Sequence, residues 1–287
     1  MTRALVLVPA PDYQEDWDWA YAVEAAALER GGIAVEARPW NDCGNLAAFD
    51  VVLPLVAWGY QFDVESWHAL LDRLEVEAQS VLNPVTVLRW NSDKRYLEEL
   101  GARGIATVPT RFAESLDEAV LATARDLFGP ELVVKPPVSA SAYGTHRLGP
   151  GDAIPEDVAG RPMMIQPFLA SVMAEGEYSL IHFDGVFSHA IVKRAKSGDY
   201  RVQPHLGGTE LPCEPPAGSR ALAKAALAAA PELPVYARVD LIRLDDGRLA
   251  IIELELIEPS LWLQHAPDDG ASFAAAILRR SGEQELA

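Results

Sequence analysis

Residues 238–255 read RVDLIRLDDGRLAIIELE: two β-rich runs that meet at Asp246-Gly247, and on this stretch the fold turns. Asp-Gly between alternating strands is the strongest short signal for a two-residue type I′ turn. With that turn Asp245 pairs with Arg248, and counting outward along an antiparallel ladder sets Asp240 opposite Glu253 and Arg238 opposite Glu255. Because side chains alternate, Arg238, Asp240, Glu253 and Glu255 share one face, while Val239, Leu241, Ile252, Leu254 and Leu256 form an apolar one. Opposed carboxylates destabilise a sheet, so Asp240 facing Glu253 calls for a compensating cation. Oxygen-only donors suit Mg²⁺ or Mn²⁺ rather than zinc, and Mg²⁺ is usually held by one or two carboxylates plus substrate phosphates. The same residues also read as a solvated acidic face compensated by Arg238. If the cation is a metal, an amide at either carboxylate relieves repulsion and leaves the metal-free protein no less stable. The count assumes a turn without a bulge.

Working outward, Asp184-Gly185 joins an earlier pair of strands, an Ala-rich helix at 219–229 separates the two hairpins, and a helix at 271–280 follows. Upstream stand helices at 92–100 and 116–128, a strand at Leu132–Lys135 before Pro136-Pro137, and a strand at 163–166. The runs 4–10, 33–38 and 50–56 alternate with a helix carrying Trp19, Val23, Ala26 and Leu28 and one carrying Trp67, Leu70, Leu71 and Leu74. That alternation predicts a small Rossmann-like parallel sheet, without the GxGxxG of dinucleotide binding. The fold class is therefore mixed α/β and α+β, with units at 1–88, 89–168 and 169–287.

The 287 residues, 49% of them hydrophobic, can bury a sizeable core. A net charge of −18 argues against a nucleic-acid footprint, which needs clustered Lys and Arg. Cys43 and Cys213 match no metal spacing, no leader pattern opens the chain, and no apolar run approaches the roughly 20 residues of a membrane span. A soluble, cytoplasmic protein follows, with no membrane partner; a homodimer is left open.

Lys135 closes the apolar strand ELVVKPP, where it can hold a phosphate as a point charge. In the following PVSASAYGTHR, Ser139, Ser141 and Gly144 offer unhindered backbone N–H groups able to close over phosphates, or form a plain loop. Lys94 falls in the first turn of a helix introduced by Asn91 and Ser92, where free N–H groups attract anions; it also reads as a solvated lysine. In QPFL, Gln166 leads into Phe168 and Leu169, which read alone as core, and Glu177 opens the next strand as an edge charge.

Taken in order, these pieces resemble the ATP-grasp superfamily, in the branch with bacterial glutathione synthetase, D-alanine:D-alanine ligase and the cyclo-ligase of cycloserine biosynthesis. The resemblance implies an ATP-grasp fold, a Rossmann-like first domain and two α+β subdomains clasping the nucleotide. It makes Lys94 and Lys135 the phosphate-binding lysines, SASAYG the loop over the phosphates, QPFL the adenine-contacting hinge and Glu177 the ribose-binding glutamate. Asp240 and Glu253 match the metal-binding pair, and Arg238 the arginine facing the acyl phosphate. Where many relatives carry Glu-x-Asn, this chain has Glu253-Leu254-Glu255, and Pro259-Ser260 replaces Pro-Gly one residue late.

The resemblance implies an ATP- and Mg²⁺-dependent (or Mn²⁺-dependent) ligase joining a small-molecule carboxylate to an amine-type nucleophile through an acyl phosphate, with intramolecular cyclisation included. The rivals are a ligase acting on a protein or peptide terminus, and a nucleotide-binding regulator whose metal site is spoiled by Glu255. Substrate contacts are sought at Asp12, Trp58 and Tyr60, and at Arg194, Arg201 and His205 in KRAKSGDYRVQPHLGG. Two arginines on a Gly-rich loop suit a small carboxylate or phosphate, though either also reads as a surface residue.

Overall fold

The structure is a computed structural model describing residues 1–196, 198–202 and 206–283. β1 (Arg3–Val8) is apolar from Ala4 onward and buried on both faces, as a central parallel strand must be. α1 (Asp18–Arg30) leads to β2 (Ala34–Pro39), and β3 (Val51–Leu53) takes the other side of β1, giving the all-parallel order β2-β1-β3. Val81 adds a parallel bridge beside Val52. α2 (Val64–Glu77) starts where Asp63 accepts the Ser66 N–H, and it buries Trp67, Leu70, Leu71 and Leu74 as their spacing requires. In α1 the buried stripe is instead Ala20, Glu24, Ala25, Ala27 and Leu28; Trp19 is exposed, and Val23 and Ala26 are half-buried.

The helix expected at 92–100 is two helices. α3 (Val85–Asn91) and α4 (Tyr96–Ala102) are joined by a turn in which the Asp93 carboxylate accepts the Arg95 N–H, an Asx bond that competes with helix. Lys94 therefore lies in this turn and not in a helix's first turn. Next come β4 (Arg111–Ala113), α5 (Glu118–Phe128), β5 (Leu132–Lys135), β6 (His146–Leu148) and β7 (Met163–Pro167), whose strands form an antiparallel sheet of order β4-β7-β5-β6. α5 begins at Asp117, which accepts the Val120 N–H, and lays Leu121 and Ala124 on that sheet's core.

After α6 (Ser171–Ala174), the strands β8 (Glu177–Phe183), β9 (Val186–Arg194), β10 (Thr209–Pro212), β11 (Tyr236–Arg243) and β12 (Leu249–Glu255) build a second antiparallel sheet, ordered β10-β9-β8-β11-β12. α7 (Ser219–Ala228) precedes β11, and α8 (Ala271–Glu283) packs on α1. One face of the sheet buries Leu180, Ala190, Val239, Leu241, Ile251 and Leu254 against α3, α4 and α7. The other face carries the charged residues.

The hairpin arithmetic reaches the right pairs by a different route. Asp240 does oppose Glu253 and Arg238 opposes Glu255. Leu244 and Arg248, however, close a three-residue loop with Gly247 at φ 86°, and near the loop the register is Arg243 to Leu249. An extra residue, Ile252, enters opposite the Asp240/Leu241 step and restores the count. Ile251 therefore pairs with Leu241 and packs in the core, while Ile252 lies on the charged side. At Asp184-Gly185 the turn does have two residues, both at positive φ, but the register shifts by one between Ile181 and His182.

β12 is an edge strand, and side chains cover its open side. Asn91 donates to the Leu254 carbonyl (2.9 Å) and accepts the Leu256 N–H (2.8 Å). The Tyr96 hydroxyl accepts the Leu254 N–H (2.8 Å). Asn83, fully buried, donates to the Tyr236 and Leu256 carbonyls (2.9 and 2.7 Å) and accepts the Val235 N–H. These bonds satisfy an edge that otherwise invites pairing with another chain, and they hold the turn bearing Lys94 beside β12.

Candidate active site

Strand register alone gathers the centre of the site. Glu177 on β8 pairs with Lys193 on β9, Ser179 with Asp240, Asp240 with Glu253, and Arg238 with Glu255. Gly176, at φ 92°, turns the chain into β8, and a Cβ there would stand 2.3 Å from the Lys193 carbonyl oxygen. Lys193 Nζ reaches Asp240 Oδ2 at 2.8 Å and also binds the Glu177 carboxylate. Arg238 donates to both Asp240 oxygens (3.0 and 3.2 Å from Nε) and binds Glu255. Ser179 Oγ donates to Asp240 Oδ1 at 2.6 Å.

Two more cations arrive from outside the sheet. Lys94 Nζ lies 3.1 Å from Glu253 Oε1 and Lys135 Nζ 3.8 Å from Oε2. Four carboxylates (Glu177, Asp240, Glu253, Glu255) thus face four cations (Lys94, Lys135, Lys193, Arg238). The cation that the Asp240–Glu253 pair demands is supplied by the chain itself. Amides here are therefore expected to destabilise the metal-free protein, contrary to the expectation from carboxylate repulsion alone, because each would strand buried positive charge.

The balance shows in the proton affinities. Burial alone would raise the Asp240 carboxyl, but Arg238 and Lys193 overcome it and hold Asp240 well below the usual carboxylate range. Burial likewise opposes ionised Glu253, which Lys94 and Lys135 keep low. At Glu177 and Glu255 burial wins, against Lys193 and Arg238 respectively, and each rises to about 7. Burial lowers the Lys135 ammonium despite Glu253, whereas the Lys193 ammonium is pulled up against its burial by Asp240 and Glu177.

Above this floor the cavity is bounded by Val108, Val133, Phe168, Leu169, Ile242 and Ile252, an apolar slot between the two antiparallel sheets. Gln166 lines it while donating to Thr110 Oγ1, and the Arg147 guanidinium lies 3.6 Å from the centre of the Phe168 ring. Ser139 and Ser141 border the same space. Lys94 binds the Ser139 carbonyl, and its N–H donates to the Pro137 carbonyl, so the turn is tied to the 136–145 loop. Gly144 takes φ 61°, and a Cβ there would meet Pro136 Cγ at 2.9 Å. Glu177 borders the cavity too, with its carboxylate committed to Lys193.

Of the remaining candidates, Arg201 lines the cavity but is paired with Asp199 (2.9 Å), and Arg194 is exposed on the end of β9. His205 lies outside the described residues. Trp58 lines a second cavity adjoining the first across Lys193, Arg238 and Glu255, Asp12 lines a third, and Tyr60 is buried beneath them against Trp67. Sequence reasoning missed Lys193, although it follows the apolar run of β9 much as Lys135 follows that of β5. The bulge in β8–β9 hides it, since counting from Asp184-Gly185 puts Val192, not Lys193, opposite Glu177.

Residues 5–83 match the family model of the N-terminal domain of D-cycloserine synthetase DcsG. The chain is 32% identical to cycloserine biosynthesis protein DcsG of Streptomyces lavendulae, over 92% of its own length and 94% of that protein. The chain belongs to the ATP-grasp ligases. The crystal structure of D-cycloserine synthetase DcsG matches with a TM-score of 0.82 at 30% identity, covering 97% of this chain and 99% of that one. D-alanine–D-alanine ligase from Bacillus anthracis complexed with ATP shares the fold, with a TM-score of 0.68 at 18% identity over 100% and 99% of the two chains. As an ATP-grasp enzyme this chain is an ATP-dependent ligase that forms C–N bonds. Among the described residues no helix is long and apolar enough to cross a membrane.

Proposed function

We propose that this ATP-grasp ligase phosphorylates the carboxylate of a small amino-acid-like substrate and lets an amine-type nucleophile of that molecule, or of a second one, displace the phosphate. The observation that carries this reading is the balanced floor of four cations and four carboxylates, open to an apolar slot and to a second cavity. A nucleotide in the slot stacks its base near Phe168 and Leu169, with Glu177 toward the ribose. Its phosphates fall between Lys94, Lys135 and the Ser139–Gly144 loop. Arg238, against the second cavity, neutralises charge growing on the substrate carboxylate, and Arg201 guards the entry. Residues 1–88 supply the far wall of that cavity, and 89–168 and 169–287 hold the nucleotide.

Asp240, Glu253 and Glu255 suit Mg²⁺ in donor chemistry, being carboxylates only. Among the described residues no group of three such side chains is already disposed around a cation, because each is engaged by Lys94, Lys135, Lys193 or Arg238. Incoming phosphates draw the lysines off Glu253 and free it, so the fit is conditional on nucleotide. Bound there, Mg²⁺ supplies neutralisation of phosphate charge.

The cyclo-ligase relative named for cycloserine favours ring closure within one amino-acid-like molecule. Incubating the protein with ATP, Mg²⁺ and pools of D- and L-amino acids or short peptides, then measuring ADP and hydroxylamine-trapped acyl phosphate, tests the reading. Amino-acid-dependent ADP release with trapped hydroxamate is expected. Release only with peptides, or none beyond background, would defeat it.

A further inference from the structure

The second cavity is largely acidic and aromatic. Glu15, Glu210 and Glu258 line it with Trp19, Trp58 and Trp262. Most of these have partners. Glu210 Oε2 accepts the Trp262 indole N–H at 2.7 Å, and Trp262 lies under the Arg238 guanidinium (5.2 Å from the ring centre) in a left-handed backbone conformation, φ 44°. The Trp58 indole donates to the Glu258 carbonyl at 3.1 Å and leans on Trp19, with ring centres 5.8 Å apart.

Glu258 is the exception. It is only 9% exposed, it lines the cavity, and among the described residues no cation stands within ion-pair distance of it; Lys94 acts on it only from farther off, and its own amide is the donor it meets. An ionised carboxylate buried without an ion pair is costly, so Glu258 either keeps a proton or ionises against a cationic ligand. Consistent with this, burial, aided by nearby Glu255, raises its carboxyl to about 8.

We propose that Glu258, in the Trp-lined second cavity, recognises the ammonium group of the substrate while Arg238, which lines the same cavity, takes its carboxylate. A guanidinium and a carboxyl lining one cavity match a zwitterion: cation against carboxylate, and carboxylate with indole faces against ammonium. A simple carboxylic acid or a 2-hydroxy acid leaves Glu258 without its counter-charge. Glu258 acts here as a specificity residue, not a catalytic one. This rests on the amino-acid reading of the site given above.

The test uses matched probes, the two hands of alanine and serine against lactate and glycerate, in the presence of a non-hydrolysable ATP analogue and Mg²⁺. Binding is read by calorimetry and by quenching of the cavity tryptophans. The wild-type protein is expected to bind at least one amino acid tenfold or more tightly than its hydroxy counterpart. Glu258→Gln, which keeps size and removes charge, is expected to erase that preference while leaving affinity for the ATP analogue within twofold, and Glu258→Asp to restore part of it. A wild-type protein that prefers no amino acid to its hydroxy acid, or a Glu258→Gln protein that keeps the preference, overturns the proposal. ADP release with the same panel is scored separately: preference without turnover retains the role of Glu258 and removes the ligase substrate, and turnover without preference does the reverse.

Discussion

Lys193 Nζ stands 2.8 Å from Asp240 Oδ2 and also holds the Glu177 carboxylate, so one lysine on β9 ties together the acidic residues of β8 and β11. Arg238 grips the same aspartate from within β11. This ion-pair lattice makes the nucleotide-free site self-neutralising. On the reading proposed above, the phosphates of a nucleotide would replace the carboxylates at Lys94 and Lys135.

Asp240→Asn should therefore destabilise the nucleotide-free protein, because Lys193 and Arg238 keep their buried charges and lose their shared partner. Breaking one side of a buried pair costs about 3–5 kcal/mol. Denaturant unfolding without nucleotide or metal measures it. An unchanged or raised midpoint would return Asp240 to the status of a solvated surface charge.

Lys94→Met and Lys135→Met are each expected to weaken ATP binding at least tenfold, about 1.4 kcal/mol or more. They should differ in a second respect. Lys94 alone holds the Ser139 carbonyl, so its loss should speed hydrogen exchange across 136–145, and Lys135→Met should not. Equal exchange in the two variants would break the link between turn and loop.

Asn83→Leu keeps roughly the volume but leaves the Tyr236 and Leu256 carbonyls and the Val235 N–H without their partner in a fully buried place. Each orphaned group costs about 1–3 kcal/mol, so a loss of at least about 3 kcal/mol is expected by chemical denaturation. A loss below about 1 kcal/mol would mean the covered edge of β12 is held without Asn83, by Asn91, Tyr96 and the backbone of 106–108.

Much of this was legible because alternation and turn chemistry are local. The parallel sheet, the charged face of β11–β12, Lys135 at its strand end and the Asp240–Glu253 pairing all follow from spacing within short windows. What stayed hidden depends on bulges and on distant partners. One extra residue at Ile252 compensated a longer loop, so two departures cancelled and the pairing came out right. One shift in β8–β9 had nothing to cancel it, and it concealed Lys193. No spacing rule could have announced that Lys94 and Lys135 meet at Glu253, more than a hundred residues downstream, or that Glu258 lies without a cation among tryptophans. Arg194, chosen for charge and a Gly-rich neighbourhood, points away because the exposed side of β9's last residue faces solvent.

The last prediction concerns acid stability. His182, buried on β8 against Phe187, has its imidazole pushed down to about 4 by burial, from an ordinary value near 6.5. A depressed imidazole is neutral in the folded chain while the unfolded chain still takes a proton. Between about pH 6.5 and 4 the unfolded state thus binds more protons, and stability falls as pH falls through that window. A gap of this size corresponds to at most about 3 kcal/mol, present in full above pH 6.5 and gone by pH 4. His182→Leu removes the titrating group, so although the variant loses the ring's packing at neutral pH, its unfolding free energy should decline less on acidification. The difference between variant and wild type should shift toward the variant by up to that amount from pH 7 to pH 4. Other buried groups, His189 among them, titrate equally in both proteins and drop out of the difference. Parallel stability curves for the two proteins across that range would show that His182 is free to take up its proton in the folded state, and would place the acid sensitivity elsewhere.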